Sequence, residues 1–236
     1  MDLARERVLT GKMVGAGIAA REQTAGRGQR GRAWFAKPGE SLCVTYYLQG
    51  PGVTPERAAH IGLLSGLAVA QTIQRLFPLE RSSEIGLKWP NDVVINGKKV
   101  AGILIEMVRE PADGWVALVG VGMNITVRDL PEELAARATS LVLEGIEPPG
   151  WQDLAVEIAG TLSRCAEMWQ TVGLDTLIEA WKQLDNSSGR RYRLDHEGVS
   201  VIGIAVGIDA SGALMLQLPS GELVSSSSAT SVKEEE

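Results

Sequence analysis

The stretch Val93-Val94-Ile95-Asn96-Gly97-Lys98-Lys99-Val100-Ala101-Gly102-Ile103-Leu104-Ile105-Glu106-Met107 decides the fold class. Two aliphatic, β-branched runs flank Asn96-Gly97, the pair favoured in a type I′ turn because both central residues need positive φ. The stretch therefore predicts an antiparallel hairpin. Gly102 lies inside its second arm, where a glycine implies a bulge or the close approach of another group. Working outward, Ile85 to Trp89 is a short apolar segment before the hairpin, and Trp115 to Val121 is a strand after it. Residues 12 to 23 read as a strand leading into a loop, and Ser41 to Leu48 is rich in β-formers. One helix is expected from Thr54, read as its N-cap with Pro55 at the first helical position, to about Phe77. Its middle is apolar nearly all round, which predicts burial. Two more helices are expected over Asp153 to Thr171 and Asp175 to Leu184, the second with an apolar stripe of Leu177, Ile178, Trp181 and Leu184. After Asn186-Ser187-Ser188-Gly189 the texture changes to short strands separated by turns at Asp209 to Gly212 and Pro219 to Gly221, the pattern of a small barrel or sandwich. A boundary near Ser187 would divide residues 1–186 from 187–236, with Ser225 to Ser228 as a fading strand and Glu234 to Glu236 as a solvated tail.

The chain has 236 residues, 44% hydrophobic and 22% charged, which is a globular composition and enough length for one large domain or a medium one plus a small one. It is too apolar for a disordered protein. The longest apolar-rich stretch, Ile61 to Ile73, is too short to span a bilayer, and Met1 to Arg7 lacks the shape of a signal peptide, so no membrane partner is expected. The formal net charge of −6 argues against a general nucleic-acid binder. Cys43 and Cys165 lie far apart among apolar neighbours and read as buried free thiols, which points to a reducing, cytoplasmic compartment. Two histidines and two cysteines cannot build a structural zinc site of the usual spacing.

Four segments carry chemistry. Gly26-x-Gly28-x-x-Gly31 matches the dinucleotide-binding pattern in its letters, but the residues after it, Arg32 to Gly39, make a poor helix, and that fingerprint needs one to hold the pyrophosphate. The Gly-Lys-Ser/Thr ending of a P-loop is absent. The content of the loop says more: Arg27, Arg30 and Arg32 alternate with glycines. Glycine lets backbone approach a ligand and reorder around it, and guanidinium groups bind phosphate and carboxylate with paired donors. Such a loop suits an anionic ligand that must be wrapped, although solvated loops and Gly-Arg RNA-binding tails share the composition. Lys88-Trp89-Pro90-Asn91-Asp92 places a lysine and an acid at a strand end; Lys99 to Glu106 adds a second lysine and Gly102; Gly120-Val121-Gly122-Met123-Asn124 leaves a strand end open and offers an amide. Taken singly, each is also ordinary turn chemistry.

Together, Gln23-Thr24-Ala25-Gly26-Arg27-Gly28-Gln29-Arg30-Gly31-Arg32-x-Trp34, Lys88 to Asp92, Lys99 to Glu106 and Gly120 to Asn124 resemble the biotin protein ligases, over essentially the whole chain. The resemblance implies an α+β fold: a mixed β-sheet with flanking helices, like class II aminoacyl-tRNA synthetases and biotinyl/lipoyl transferases, followed by a small Src-homology-3-like barrel. It implies an enzyme that activates biotin with ATP to biotinyl-5′-adenylate and passes biotin to one lysine of a biotin carboxyl carrier protein, that of acetyl-CoA carboxylase, with Mg²⁺. Carried over by position, Arg27 and Lys88 lie along the biotin carboxylate and adenylate linkage, and Lys99 stands near the reacting phosphate. Gln23, Gly28 and Gln29 form the biotin wall, Gly102 and Ile103 present backbone groups to biotin, and Trp34 closes the pocket. Arg32 and Asn124 serve the nucleotide. Two roles stay open for Asp92: a Mg²⁺ ligand, or the group that orients or deprotonates the incoming lysine. Three departures from the family pattern stand out. The Ser-Thr-Asn-like segment expected just upstream of Asp2-Leu3-Ala4 is missing, Gln29 stands where arginine is common, and no winged-helix domain precedes the catalytic part, so no DNA partner is expected. A monomer or homodimer fits. A lipoate or octanoate ligase of the same architecture, and a non-catalytic biotin-binding protein, are the alternative readings.

Overall fold

The computed structural model describes residues 1–77, 84–111, 114–196 and 198–232. The hairpin is present: β4 (Asp92–Ile95) and β5 (Lys98–Arg109) pair antiparallel through Asn96 and Gly97, both at positive φ, 50° and 75°. With β1 (Gly17–Ala20), β2 (Ser41–Leu48), β3 (Ile85–Lys88) and β6 (Trp115–Asn124) they form a six-stranded sheet in the order β1-β2-β6-β5-β4-β3. Every ladder in it is antiparallel, so the mixed sheet expected from the resemblance is corrected. The reason is local: β3 through β6 follow one another by short turns, and a short turn can only reverse a strand.

The two faces of the sheet follow from strand alternation. Ala101, Ile103, Val119, Val121, Leu42, Val44 and Tyr46 point to one side and are buried in the main core. That side is covered by α2 (Ala58–Gln74), α4 (Trp151–Val172) and α5 (Leu174–Lys182). α2 packs on β5 and β6 and against α4 and α5, while α4 also reaches the sheet at β2, and the all-round apolar middle of α2 is buried as expected, from Ile61 through Ile73. Leu177, Ile178 and Trp181 of α5 are buried on the same core. Thr54 is not a side-chain cap. A 3₁₀ turn over Pro55–Arg57 precedes α2, and the Thr54 hydroxyl goes to Glu56, holding that carboxyl below its usual range. On the opposite face α1 (Asp2–Leu9), an element the sequence analysis did not assign, packs Ala4 and Val8 against Val108, Val116 and Leu118. The short helix α3 (Glu132–Ala135) lies in the connection after β6.

From Arg191 onward, β7 (Arg191–His196), β8 (Val199–Ile208), β9 (Leu214–Gln217), β10 (Leu223–Ser226) and β11 (Thr230–Ser231) form a second antiparallel sheet, ordered β10-β9-β8-β7-β11. Among the described residues no ladder joins β10 to β11, so this sheet is not closed into the barrel that the resemblance implied. The tail at Glu234 to Glu236 lies outside the described residues.

The core crosses the change of texture at Ser187. Tyr192, Leu194, Ala205, Leu214 and Leu216 belong to the same buried cluster as α2 and the large sheet. Ser187 is itself fully buried and accepts a hydrogen bond from the Trp89 N–H at 2.7 Å. The Trp89 indole donates to the Gly212 carbonyl at 3.0 Å, and the Ser211 carbonyl lies 3.0 Å from His60 Nε2. A methyl group on Gly212 would stand 2.9 Å from Leu63 Cδ1, so the turn at 209–212 is seated tightly on α2. Both cysteines are buried free thiols, as the sequence suggested. No described helix is long and apolar enough to cross a membrane.

Candidate active site

The uncovered part of the second sheet face is floored by glycine. Gly102 on β5 pairs with Gly122 on β6, and Gly120 pairs with Leu104. Side chains alternate along a strand, so these three positions leave a trough on one face where side chains would otherwise stand. Trp34 lies in it: a methyl group on Gly122 would come within 2.4 Å of the indole Cε2, and one on Gly102 within 3.1 Å of Cζ3. The close approach read from Gly102 is therefore by the Trp34 and Lys99 side chains. A bulge accompanies it, since the register between β4 and β5 slips opposite Val100.

Trp34 is carried there by the Gly-Arg loop, which forms a small hairpin. Trp34 N donates to Gly26 O at 2.9 Å, Gly28 N to Arg32 O at 2.7 Å, and Arg32 N to Gln29 O at 3.2 Å across a 3₁₀ turn over Gln29–Gly31. The loop roofs a cavity of about 390 Å³, within the range of about 300–1,000 Å³ typical of small-molecule sites. Gln23, Arg27, Gly28, Gln29, Trp34, Lys99, Gly102 and Ile103 all reach its wall. Gly26 is required at the base of the hairpin, because a methyl group there would meet the Trp34 carbonyl oxygen at 2.6 Å. We expect Gly26→Ala to separate the two arms and raise the susceptibility of residues 24–34 to limited proteolysis, with the far sheet unaffected; an unchanged cleavage pattern would contradict this.

At the Lys99 end of the cavity stand the charged groups. Lys99 Nζ pairs with Asp92 Oδ1 at 2.5 Å and lies 5.2 Å from the Trp34 ring centroid, a cation–π arrangement. Lys88 is directly across the ladder from Asp92 and half-buried; neither of the two lines the cavity, and both stand behind Lys99. Burial pushes the Lys88 ammonium below its ordinary value of 10.5; Arg190 and Lys99 push the same way and Asp92 opposes them. The charged form therefore costs stability at neutral pH, and that cost is released as pH rises from the folded-state value towards 10.5. Any activity that needs the charge runs the other way and fails above the folded-state value. We expect the alkaline limb of the first chemical step to lie below pH 10.5, and Lys88→Arg, which stays charged, to remove that limb. A limb unchanged in Lys88→Arg would assign it to another group.

The remaining expected residues are placed differently. Ile103 offers no free backbone pair, because Asn91 takes both groups: Ile103 N donates to Asn91 O at 2.9 Å and Asn91 Nδ2 donates to Ile103 O at 2.8 Å. Asn91 is the wall residue that the sequence analysis quoted but left without a role. Asn124 is buried and turned to the Thr139 carbonyl, 2.9 Å away, and does not line this cavity. Arg32 is exposed and contributes its backbone to the hairpin; the side chain of Arg30 lies outside the described set. Arg27 Nη2 is paired with Asp2 and lies 3.7 Å from Glu106 Oε1. Among the described residues no three His, Cys, Asp or Glu side chains cluster as metal ligands. Asp92 is thus a single carboxylate, sufficient for a Mg²⁺ that arrives with phosphate oxygens but not for one held by protein alone.

Residues 7–124 match the model of the biotin/lipoate A/B protein ligase family, and residues 188–230 match the biotin protein ligase C-terminal domain. A biotin–[acetyl-CoA-carboxylase] ligase of Mycobacterium tuberculosis is 33% identical over 85% of this chain and 73% of its own length. The chain belongs to the biotin/lipoate A/B protein ligase family. The bifunctional ligase/repressor BirA proteins of Salmonella typhimurium and Escherichia coli are 31% and 30% identical over 86% and 84% of this chain. The chain spans 62% and 60% of their lengths. The fold is that of solved biotin protein ligases: one from Aquifex aeolicus, in complex with biotin and ATP, superposes with a TM-score of 0.78 at 24% identity, covering 98% of this chain and 95% of that one.

Proposed function

We propose that this chain is an ATP-dependent biotin–[biotin carboxyl carrier protein] ligase acting on the carrier of acetyl-CoA carboxylase. The observation that carries the reading is the pairing of a glycine-floored trough, roofed by the Gly-Arg hairpin, with Lys99 on its wall and Lys88 behind it, across the ladder from Asp92. Joining biotin to ATP requires two anions to meet. A biotin carboxylate oxygen forms a bond to the α-phosphorus, and the bond from that phosphorus to the pyrophosphate oxygen breaks. Lys88 and Lys99 outnumber Asp92 there, so charge growing on the phosphate is met by preplaced cations. In the second step the carrier lysine's amine attacks the acyl carbon, the acyl–oxygen bond breaks and AMP leaves. Asp92, moved off Lys99, is placed to take the amine's proton. Mg²⁺, when bound with ATP, would add charge neutralisation on the phosphates, with Asp92 the carboxylate in reach. The two buried free thiols suit a cytoplasmic setting.

The test is biotin-dependent exchange of pyrophosphate into ATP, followed by ATP-dependent labelling of a carrier domain with biotin or lipoate. Exchange with biotin and labelling by biotin alone supports the reading; labelling by lipoate alone would overturn it. Gln29 lines the roof as a neutral amide. Gln29→Arg should add a cation beside the anionic adenylate and slow its escape into solvent severalfold, measured as release of labelled adenylate in a single turnover. Equal release rates would show that this side chain does not retain the intermediate.

A further inference from the structure

The trough does not end at Gly102 and Leu104. Two residues further along the same face of β5 stands Glu106, whose side chain is only 19% exposed. Its Oε2 accepts a hydrogen bond from Arg5 of α1 at 2.7 Å, and its Oε1 faces Arg27 Nη2 at 3.7 Å. Asp2, with 83% of its side chain exposed, also pairs with Arg27 Nη2. Four charges, two of each sign, thus meet here: Asp2 and Arg27 on the cavity wall, with Glu106 and Arg5 behind them.

We propose that Glu106 is a positioning residue for Arg27: its carboxylate, 3.7 Å from Nη2 and acting through charge rather than a hydrogen bond, draws one amino group of the guanidinium to its side so that the other edge faces the ligand's carboxylate and, after activation, its acyl-phosphate. This rests on the reading of Arg27 as facing an anionic ligand. A guanidinium carries five N–H donors in a rigid fork, so anchoring one amino group fixes the direction of the rest. The two carboxylates differ in kind. Asp2 is exposed, and a surface pair of this type is weak and readily exchanged, so the incoming carboxylate takes its place. Glu106 is mostly buried and held from behind by Arg5, so it stays. Removing its charge would leave Arg5 and Arg27 facing each other across a neutral amide, and their repulsion would turn Arg27 away from the mouth. The orienting effect therefore outweighs any gain from losing a competing carboxylate.

The experiment is a double-mutant cycle on the full chain. Glu106→Gln should lower kcat/KM for biotin in pyrophosphate exchange by about three- to thirtyfold, the scale of a partly exposed charge-assisted contact. In an Arg27→Ala background the same change should have less than a twofold effect. Binding of biotin amide, which has no carboxylate, should be unchanged by Glu106→Gln. Arg5→Gln, which removes the group behind Glu106 but leaves its charge beside Arg27, should lower kcat/KM by clearly less than Glu106→Gln does. Additive effects of Glu106→Gln and Arg27→Ala, equal loss of biotin amide binding, or an Arg5→Gln defect as large as that of Glu106→Gln would each overturn the proposal in favour of helix docking. Absence of exchange in the wild-type chain would instead remove the functional reading on which it rests.

Discussion

Lys88→Ala lowers the rate of biotin adenylation about a hundredfold or more, with biotin binding reduced far less. The magnitude follows from the role: removing one preorganised group that meets developing charge typically costs roughly 3 kcal/mol of transition-state stabilisation, and each 1.36 kcal/mol or so is a factor of ten. The position supports the upper part of that range. Lys88 is half-buried and its charge is already disfavoured by desolvation, while Asp92 across the ladder is paired with Lys99. An anion arriving there meets a cation that water screens only in part. Single-turnover formation of labelled adenylate gives the rate, and equilibrium titration gives the affinity. A variant that adenylates at near wild-type speed would remove Lys88 from the chemistry.

Gly122→Ala opens the pocket. The added methyl carbon would sit 2.4 Å from Trp34 Cε2 and 2.7 Å from Nε1, distances that no packed carbon tolerates. The clash falls on three atoms of the indole, Cε2, Nε1 and Cζ2, all within 2.8 Å of the added carbon, so the ring has to move as a whole. Trp34 must leave the trough. Withdrawing this half-buried aromatic cover exposes at most about 1.5–3 kcal/mol of apolar contact, so biotin affinity should fall by up to about ten- to a hundredfold. Indole fluorescence should shift to the red as the ring enters water. Gly160→Ala in the middle of α4 is the comparison, since a methyl there meets nothing closer than 3.6 Å. A Gly122→Ala protein with wild-type affinity and unshifted emission would mean that Trp34 is not part of the cover.

Asn96-Gly97 named the central hairpin because turn chemistry is encoded by the residues in the turn itself, and the all-round apolar character of α2 named its burial for an equally local reason. The order of the strands was not legible. It depends on β2 inserting beside β6 rather than β1 pairing into the centre, a choice made by long-range packing. The site divided the same way. Gly102 announced a close approach but could not say that Trp34, far upstream, would be the group approaching. Ile103 looked like a backbone donor until Asn91, twelve residues earlier, was found holding both of its polar groups. Asn124 looked like a ligand contact because its amide is free in sequence; in space it holds the Thr139 carbonyl. The all-antiparallel sheet corrected an expectation that came from family resemblance, and the unclosed second sheet one that resemblance and the run of short strands had both suggested.

The turn at 209–212, clasped by Trp89, His60 and Leu63, makes the two sheets one mechanical body. Amide hydrogens of β8 and β9 should therefore exchange with solvent at the same opening free energy as those of β5 and β6, in a single cooperative event. Under the proposed function, a carrier domain would then meet two sheets that move together. Entry and exit then fall to the Gly26–Trp34 hairpin, tied down by three backbone hydrogen bonds, and the tempo of turnover becomes the tempo of a loop.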